Sequence, residues 1–164
     1  MSPGAILLDF RGLTDFVQES NRIEGIMRAP TRIETQAHRR LLDAPTLTIE
    51  ELQVFICAVQ TGAQLRDQVG LNVRVGQHVA PSGGPLIAER LQNLLNWIPD
   101  CLDPYPVHRE YLNLQPFTDG NGRSSRAIWL RMMGGPQNAP LGFLHHWYFQ
   151  SLSDGDRTCS LIRS

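Results

Sequence analysis

The chain has 164 residues, 41% of them hydrophobic and 19% charged, with 15 basic against 16 acidic side chains and a formal charge of −1. That length suits one domain with one core, and the balanced charge argues against a general nucleic-acid or membrane surface. Cys57, Cys101 and Cys159 lack metal-like spacing, and the short apolar run at residues 5–8 has no basic flank, so buried or incidental thiols in a reducing, cytoplasmic setting are expected.

In chain order, the pattern predicts a first helix over about 16–26 and a second over about 31–42. His38, within Ala37-His38-Arg39-Arg40, reads as part of a solvated helix face. Thr48 and Glu51 have capping-box spacing, and Leu52, Phe55, Ile56 and Val59 recur at i, i+3, i+4, i+7, which predicts a third helix. Residues 71–80 break the helical period. Leu71-Asn72-Val73-Arg74-Val75-Gly76 alternates apolar with polar, and Val79 follows, so a short two-stranded flap with a turn near Gly76 is expected. Pro81 to Pro85 is a loop. Pro85 suits the first turn of a helix that carries Ile87, Leu91, Leu94 and Ile98 on one face. Two further helices, over 108–114 and 123–133, enter and leave a glycine-rich loop. A last short helix is expected over 144–152, with His145 and His146 as surface or packing residues. The fold class is therefore mostly α: one domain over 1–164, a helical bundle with a short β-hairpin flap.

The loop between the last two long helices carries the chemistry. It reads Gln115-Pro116-Phe117-Thr118-Asp119-Gly120-Asn121-Gly122-Arg123-Ser124-Ser125-Arg126. Gly120 and Gly122 let the backbone come close to an anion, and the free N–H groups of a helix start can be aimed at phosphate oxygens. Arg123 and Arg126 share one face of the first turn, where a bound polyanion would resolve their conflict with the helix dipole. Asp119 is a hard oxygen ligand suited to Mg²⁺.

These residues resemble the signature of the Fic (Fido) family, His-Pro-Phe-x-Asp/Glu-Gly-Asn-Gly-Arg-x-x-Arg, at every defined position except the first. Two further stretches are similar to family motifs. Asn72-Val73-Arg74-Val75-Gly76-Gln77-His78-Val79 resembles the target-holding flap, and Ser20-Asn21-Arg22-Ile23-Glu24-Gly25 resembles the inhibitory motif Ser/Thr-x-x-x-Glu-Gly/Asn. The resemblance covers about residues 20–133, with an inhibitory helix near 15–27, the flap at 71–80 and the core motif helices at 108–133.

What the resemblance implies is transfer of AMP from ATP to a Ser, Thr or Tyr hydroxyl of a protein target, with Mg²⁺. Asp119 would hold the metal. Gly120, Asn121 and Gly122 would form the anion hole, Arg123 would take the β-phosphate region and Arg126 the γ-phosphate. Phe117 would anchor the loop. Val73, Arg74, Val75 and Gly76 would pair with the target backbone as an added strand. Ser20 and Glu24 would form the brake, with Glu24 drawing Arg126 away from the nucleotide. The oligomeric state is left open, a homo-oligomer included.

Gln115 departs from the family pattern. A carboxamide can orient a hydroxyl or a water but has no proton-accepting pKa near neutrality. Loss of a positioned base typically costs about 10²–10⁴ in rate. Two alternatives follow: a non-catalytic nucleotide-binding or interaction protein, and a nucleotide hydrolase in which Gln115 places water. His108 reads as a satisfied packing histidine and His78 as an exposed flap residue; neither is expected to replace the base.

Overall fold

The computed structural model describes residues 3–139, with side chains from Gly12 onward. The helix expected over 144–152, with His145 and His146, lies outside the described residues, as does Cys159. Helices α1 (Pro3–Ile23), α2 (Arg32–Asp43) and α3 (Ile49–Val59) come first. A two-stranded antiparallel hairpin follows, β1 (Arg74–Val75) and β2 (His78–Val79), then α4 (Pro85–Trp97), α5 (Pro104–Leu114) and α6 (Asn121–Met132). The mostly helical architecture with one short hairpin is as expected. No helix among the described residues is long and apolar enough to cross a membrane.

Most side chains of the core form one cluster. Leu41 of α2, Leu52, Phe55 and Ile56 of α3, Leu91 of α4, Tyr111 of α5 and Ile128 of α6 meet there. A second cluster joins Leu13, Phe16 and Val17 of α1 to Trp129 and Leu130 of α6. Each fully buried apolar side chain of this kind contributes about 1.5–3 kcal/mol, so α1 is docked through a real hydrophobic face. Phe16 stacks on Trp129 with ring centroids 6.5 Å apart.

Helix α1 begins well before residue 16, and it ends at Ile23, short of the expected residue 26. Its end is a Schellman motif: Ile26 N–H bonds Asn21 C=O at 3.0 Å, Gly25 N–H bonds Arg22 C=O at 2.9 Å, and Gly25 takes the left-handed φ of 77°. Glu24 is thereby fixed as the cap residue, one step beyond the helix.

Two expectations in this region need correction. The complete capping box lies at Thr31 and Glu34, at the start of α2. At α3 only half of one forms: Thr48 Oγ1 accepts the Glu51 N–H at 3.2 Å, while the Glu51 carboxylate turns to Arg40 at 2.8 and 3.1 Å. His38 is buried rather than solvated. Glu34, Ala37, His38 and Leu41 form the inward stripe of α2. The imidazole sits edge-on to Phe16 (6.3 Å) and Phe55 (4.8 Å) and links the two clusters. Burial lowers its pKa to about 4, against the pull of the Glu34 carbonyl that its Nδ1 meets at 2.8 Å.

Candidate anion-binding site

Helix α5 ends at Leu114 and is capped by Gln115, whose φ of 47° and ψ of 63° are left-handed; no other non-glycine residue among those described has a positive φ. That turn reverses the chain into the glycine loop. Three hydrogen bonds pin it: Gln115 N–H to Tyr111 C=O (2.9 Å), Gln115 Nε2 to Leu112 C=O (2.8 Å), and Arg66 Nε to Gln115 C=O (2.6 Å). The carboxamide nitrogen thus commits one of its two N–H groups to the helix end, and Oε1 is the acceptor of this side chain. Phe117 is fully buried and anchors the loop. Residues 64–66 lie antiparallel to 116–118, through Arg66 N–H to Pro116 C=O and Thr118 N–H to Gln64 C=O, both 2.9 Å.

Arg66 was not legible in the sequence. Its guanidinium is fully buried, forms no ion pair among the described residues, and has its pKa lowered by burial. It donates to four carbonyls: Leu114 (2.8 Å) and Gln115 at the end of α5, and Leu71 and Pro81 (2.9 Å each) on either side of the flap. A cation suits the negative end of a helix. Here it also ties the root of the flap to position 115.

Helix α6 starts at Asn121, after Gly120 at a left-handed φ of 77°. No side chain caps it. The first backbone bond is Ser124 N–H to Gly120 C=O at 3.0 Å, so the N–H groups of Asn121, Gly122 and Arg123 precede any intrahelical partner. The Asn121 side chain braces the loop and does not project as a ligand. Its Oδ1 accepts Phe117 N–H at 2.9 Å and its Nδ2 donates to Phe117 C=O at 2.8 Å.

The two arginines go to different places. Arg123 turns inward: Nη1 bonds Val59 C=O at 2.6 Å, and Nη2 bonds Gln60 Oε1. Its terminal nitrogens serve the end of α3 in this structure. Its Nε is buried without a partner among the described residues. Arg126 is buried and meets α1: Nε donates to Ser20 Oγ (2.8 Å), Nη2 to Ser20 C=O (3.0 Å) and to Glu24 Oε1 (2.5 Å). A Cβ built on Gly122 would collide with that same Glu24 oxygen. The carboxylate thus lies directly over the uncapped start of α6 and on a guanidinium, the two features that make an anion seat.

Asp119 is exposed, and its Oδ1 accepts Gly120 N–H at 2.7 Å. No group of three His, Cys, Asp or Glu gathers into a metal site among the described residues. A lone carboxylate does not fit a resident ion. It does fit Mg²⁺ that takes most of its ligands from phosphates and water. Of the flap residues, Arg74, Val75 and Gly76 are exposed, with Val73 half-buried, and the pairing is Arg74 with Val79 and Val75 with His78. His78 Nε2 meets Asn113 C=O at 2.9 Å, which rests the flap on the end of α5. His108 is buried with Nδ1 at 2.6 Å from Ser125 Oγ, and burial lowers its pKa to about 4. A cleft of about 500 Å³ between α4 and α5, lined by Pro81, Leu94, Trp97, Asn113 and Leu114 among others, includes none of residues 115–126. The candidate site is therefore a seat at a helix end, closed from above by Glu24.

Glu34 is a further residue that motif reading passed over, although Thr31-x-x-Glu34 has the spacing of a capping box. No protein-family model, curated protein or solved structure matches the chain.

Proposed function

We propose that the chain is a Fic-type protein that binds the polyphosphate of ATP at the start of α6, is held back by Glu24, and is slowed in AMP transfer to a protein hydroxyl by Gln115. One observation carries this reading. A carboxylate from 102 residues away occupies the point where the helix N-terminus and Arg126 converge. An internal anion at that point marks what an external one would use.

In the proposed reaction the backbone amides of Gly122 and Arg123 cradle the inner phosphates. Once Glu24 swings away, Arg126 takes the outermost phosphate. Arg123 stays on Val59 and Gln60 and acts as a brace with a nearby positive charge. Asp119 would hold Mg²⁺ delivered with the nucleotide, and that ion, when bound, neutralises phosphate charge. The flap aligns the target, whose hydroxyl oxygen bonds to the α-phosphorus as the bond to the β-phosphate oxygen breaks and pyrophosphate leaves. Gln115 Oε1 can orient the hydroxyl by accepting its hydrogen bond, but the proton goes to solvent. Positioning and electrostatics supply what acceleration remains.

A second reading, nucleotide binding without transfer, is favoured by the state of the histidines. His108 is buried on Ser125 and His78 rests on Asn113 C=O, so neither imidazole stands in for the base.

The test uses ATP with Mg²⁺ on the parent, Glu24→Gly, and Glu24→Gly with Gln115→His. We expect calorimetry to show tighter ATP binding by Glu24→Gly, and the double variant to label itself or another protein with AMP at a rate about 10²–10⁴ above Glu24→Gly alone. Binding without labelling in any of the three supports the second reading. No heat from ATP with Glu24→Gly overturns both. Nucleotide turnover by the parent that disappears in Gln115→Ala assigns hydrolysis instead.

A further inference from the structure

Glu24 can obstruct Arg126 only if something holds the turn after α1 in place. Ser20 and Glu24 supply part of that hold themselves. The rest converges on a single buried carboxylate. Glu34 receives Arg28 Nη1 (2.9 Å, Oε2) and Nη2 (2.9 Å, Oε1), Thr31 N–H (2.7 Å, Oε2) and Asn21 Nδ2 (3.4 Å, Oε1). These donors come from three successive pieces of chain: the last turn of α1, the connection to α2, and the α2 cap. Asn21 is also the residue whose carbonyl accepts both Glu24 N–H and Ile26 N–H at 3.0 Å. The Glu34 carboxylate therefore reaches, through a long hydrogen bond, the residue from which the Glu24 turn is built.

We propose that Glu34 is a positioning residue for the brake: with Arg28 and Asn21 it latches residues 21–31, and the latch sets how firmly Glu24 excludes the outermost phosphate of a nucleoside triphosphate. This inference rests on the nucleotide-binding reading above. Arg28 is the accessible arm of the latch, with 53% of its side chain exposed against 3% for Glu34. Loosening that arm frees the turn while the buried faces of α1 and α6 stay packed. The Glu24 carboxylate then spends more of its time away from Arg126, and only ligands that reach Arg126 notice. A nucleoside monophosphate does not, so its affinity stays constant. General damage to the fold would weaken mono- and triphosphate binding together, which makes the split diagnostic.

The experiment measures ATP–Mg²⁺ and AMP binding by calorimetry for the parent, Glu24→Ala, Glu34→Gln, Arg28→Ala, and Glu24→Ala combined with Glu34→Gln. Amide hydrogen exchange at Gly25 and Ile26 is followed in parallel, without nucleotide. We expect Glu34→Gln to raise ATP affinity on the order of fivefold or more, the usual size of a coupling between sites. Arg28→Ala should do so more weakly, and AMP affinity should hold within about twofold. The combined variant should bind ATP no better than Glu24→Ala, because a latch has nothing to hold once the brake is gone. Exchange at Gly25 and Ile26 should quicken in both latch variants. Should Glu34→Gln fail to fold, Arg28→Ala carries the test, since it alters only a half-exposed side chain. Unchanged ATP affinity and unchanged exchange in Arg28→Ala, beside a clear gain in Glu24→Ala, overturn the latch and leave the nucleotide reading intact. Faster exchange with no ATP binding by any variant overturns the nucleotide reading and, with it, the role given to Glu34.

Discussion

Two carboxylate–arginine pairs bracket the connection from α1 to α2, and they are buried in opposite senses. In Glu24–Arg126 the guanidinium is 1% exposed and the carboxylate 38%. In Glu34–Arg28 the carboxylate is 3% exposed and the guanidinium 53%. The exposed member of each pair is the one whose own charge water can solvate when it leaves, so the cost of parting falls on the buried member. When Glu24 leaves, Arg126 keeps Ser20 Oγ and Ser20 C=O but loses its carboxylate, and a buried cation favours another anion there. When Arg28 leaves, Glu34 keeps the Thr31 amide and Asn21. The first arrangement suits exchange with a ligand, and the second suits fastening. Two carboxylate–guanidinium pairs thus suit different work, and which partner is buried decides it.

The strongest way to break this comparison is to remove the buried cation. With Glu24→Ala as background, Arg126→Ala should weaken ATP binding by about 10- to 100-fold, the range expected for deleting a charge-assisted hydrogen bond in a desolvated site, and AMP binding far less. Equal losses for the two nucleotides would remove Arg126 from its assigned role.

A smaller effect sharpens the comparison through pH. Burial pushes the Glu34 carboxyl up, yet the hydrogen bonds and charge of Arg28 and the Thr31 amide outweigh this and leave it lowered from 4.5 to about 2. Its stabilisation is complete above the ordinary value and is lost as pH falls through about 2. His38 and His108 act higher on the scale. Burial lowers each from 6.5 to about 4, so the unfolded chain takes up protons in that interval while the folded chain does not. Stability therefore falls as pH drops from about 6.5 toward 4, by on the order of 2–3 kcal/mol per histidine. Urea midpoints measured against pH should show both windows. His38→Phe should reduce the slope of the upper window by about half, and Glu34→Gln should flatten the lower one. A slope that neither variant alters would count against both assignments.

The smallest effect is a control. Arg40 and Glu51 form an exposed pair at 2.8 Å, and Arg40→Ala should shift Tm by no more than about 1–2 °C, as exposed pairs contribute little. A larger shift would mean that exposure does not rank these pairs.

Much of the bundle was legible because α3 and α4 present their buried residues at helical spacing, and the hairpin because Val73, Val75 and Val79 sit in a run that is not helical. The misreadings have physical causes. Glu51 has the right spacing for a box, but Arg40, eleven residues before it and close in space, offers its carboxylate a charged partner. His38 precedes two arginines, yet it shares the i, i+3, i+4, i+7 stripe of Glu34, Ala37 and Leu41, and that period was the better guide. The loop residues could be named in advance, while the division of labour between Arg123 and Arg126 could not, since it depends on the ends of α3 and α1 arriving from far along the chain. Arg66 carried no signal at all: its partners are carbonyls, which every residue has.

The left-handed backbone at residue 115 has a consequence for the history of this site. Histidine is among the side chains found several-fold more often than most in that conformation. Glutamine and histidine codons share their first two bases. On the proposed function, one nucleotide change would exchange the Gln115 carboxamide for a proton acceptor with the main-chain trace already laid for it, and the reverse change would remove that acceptor as readily.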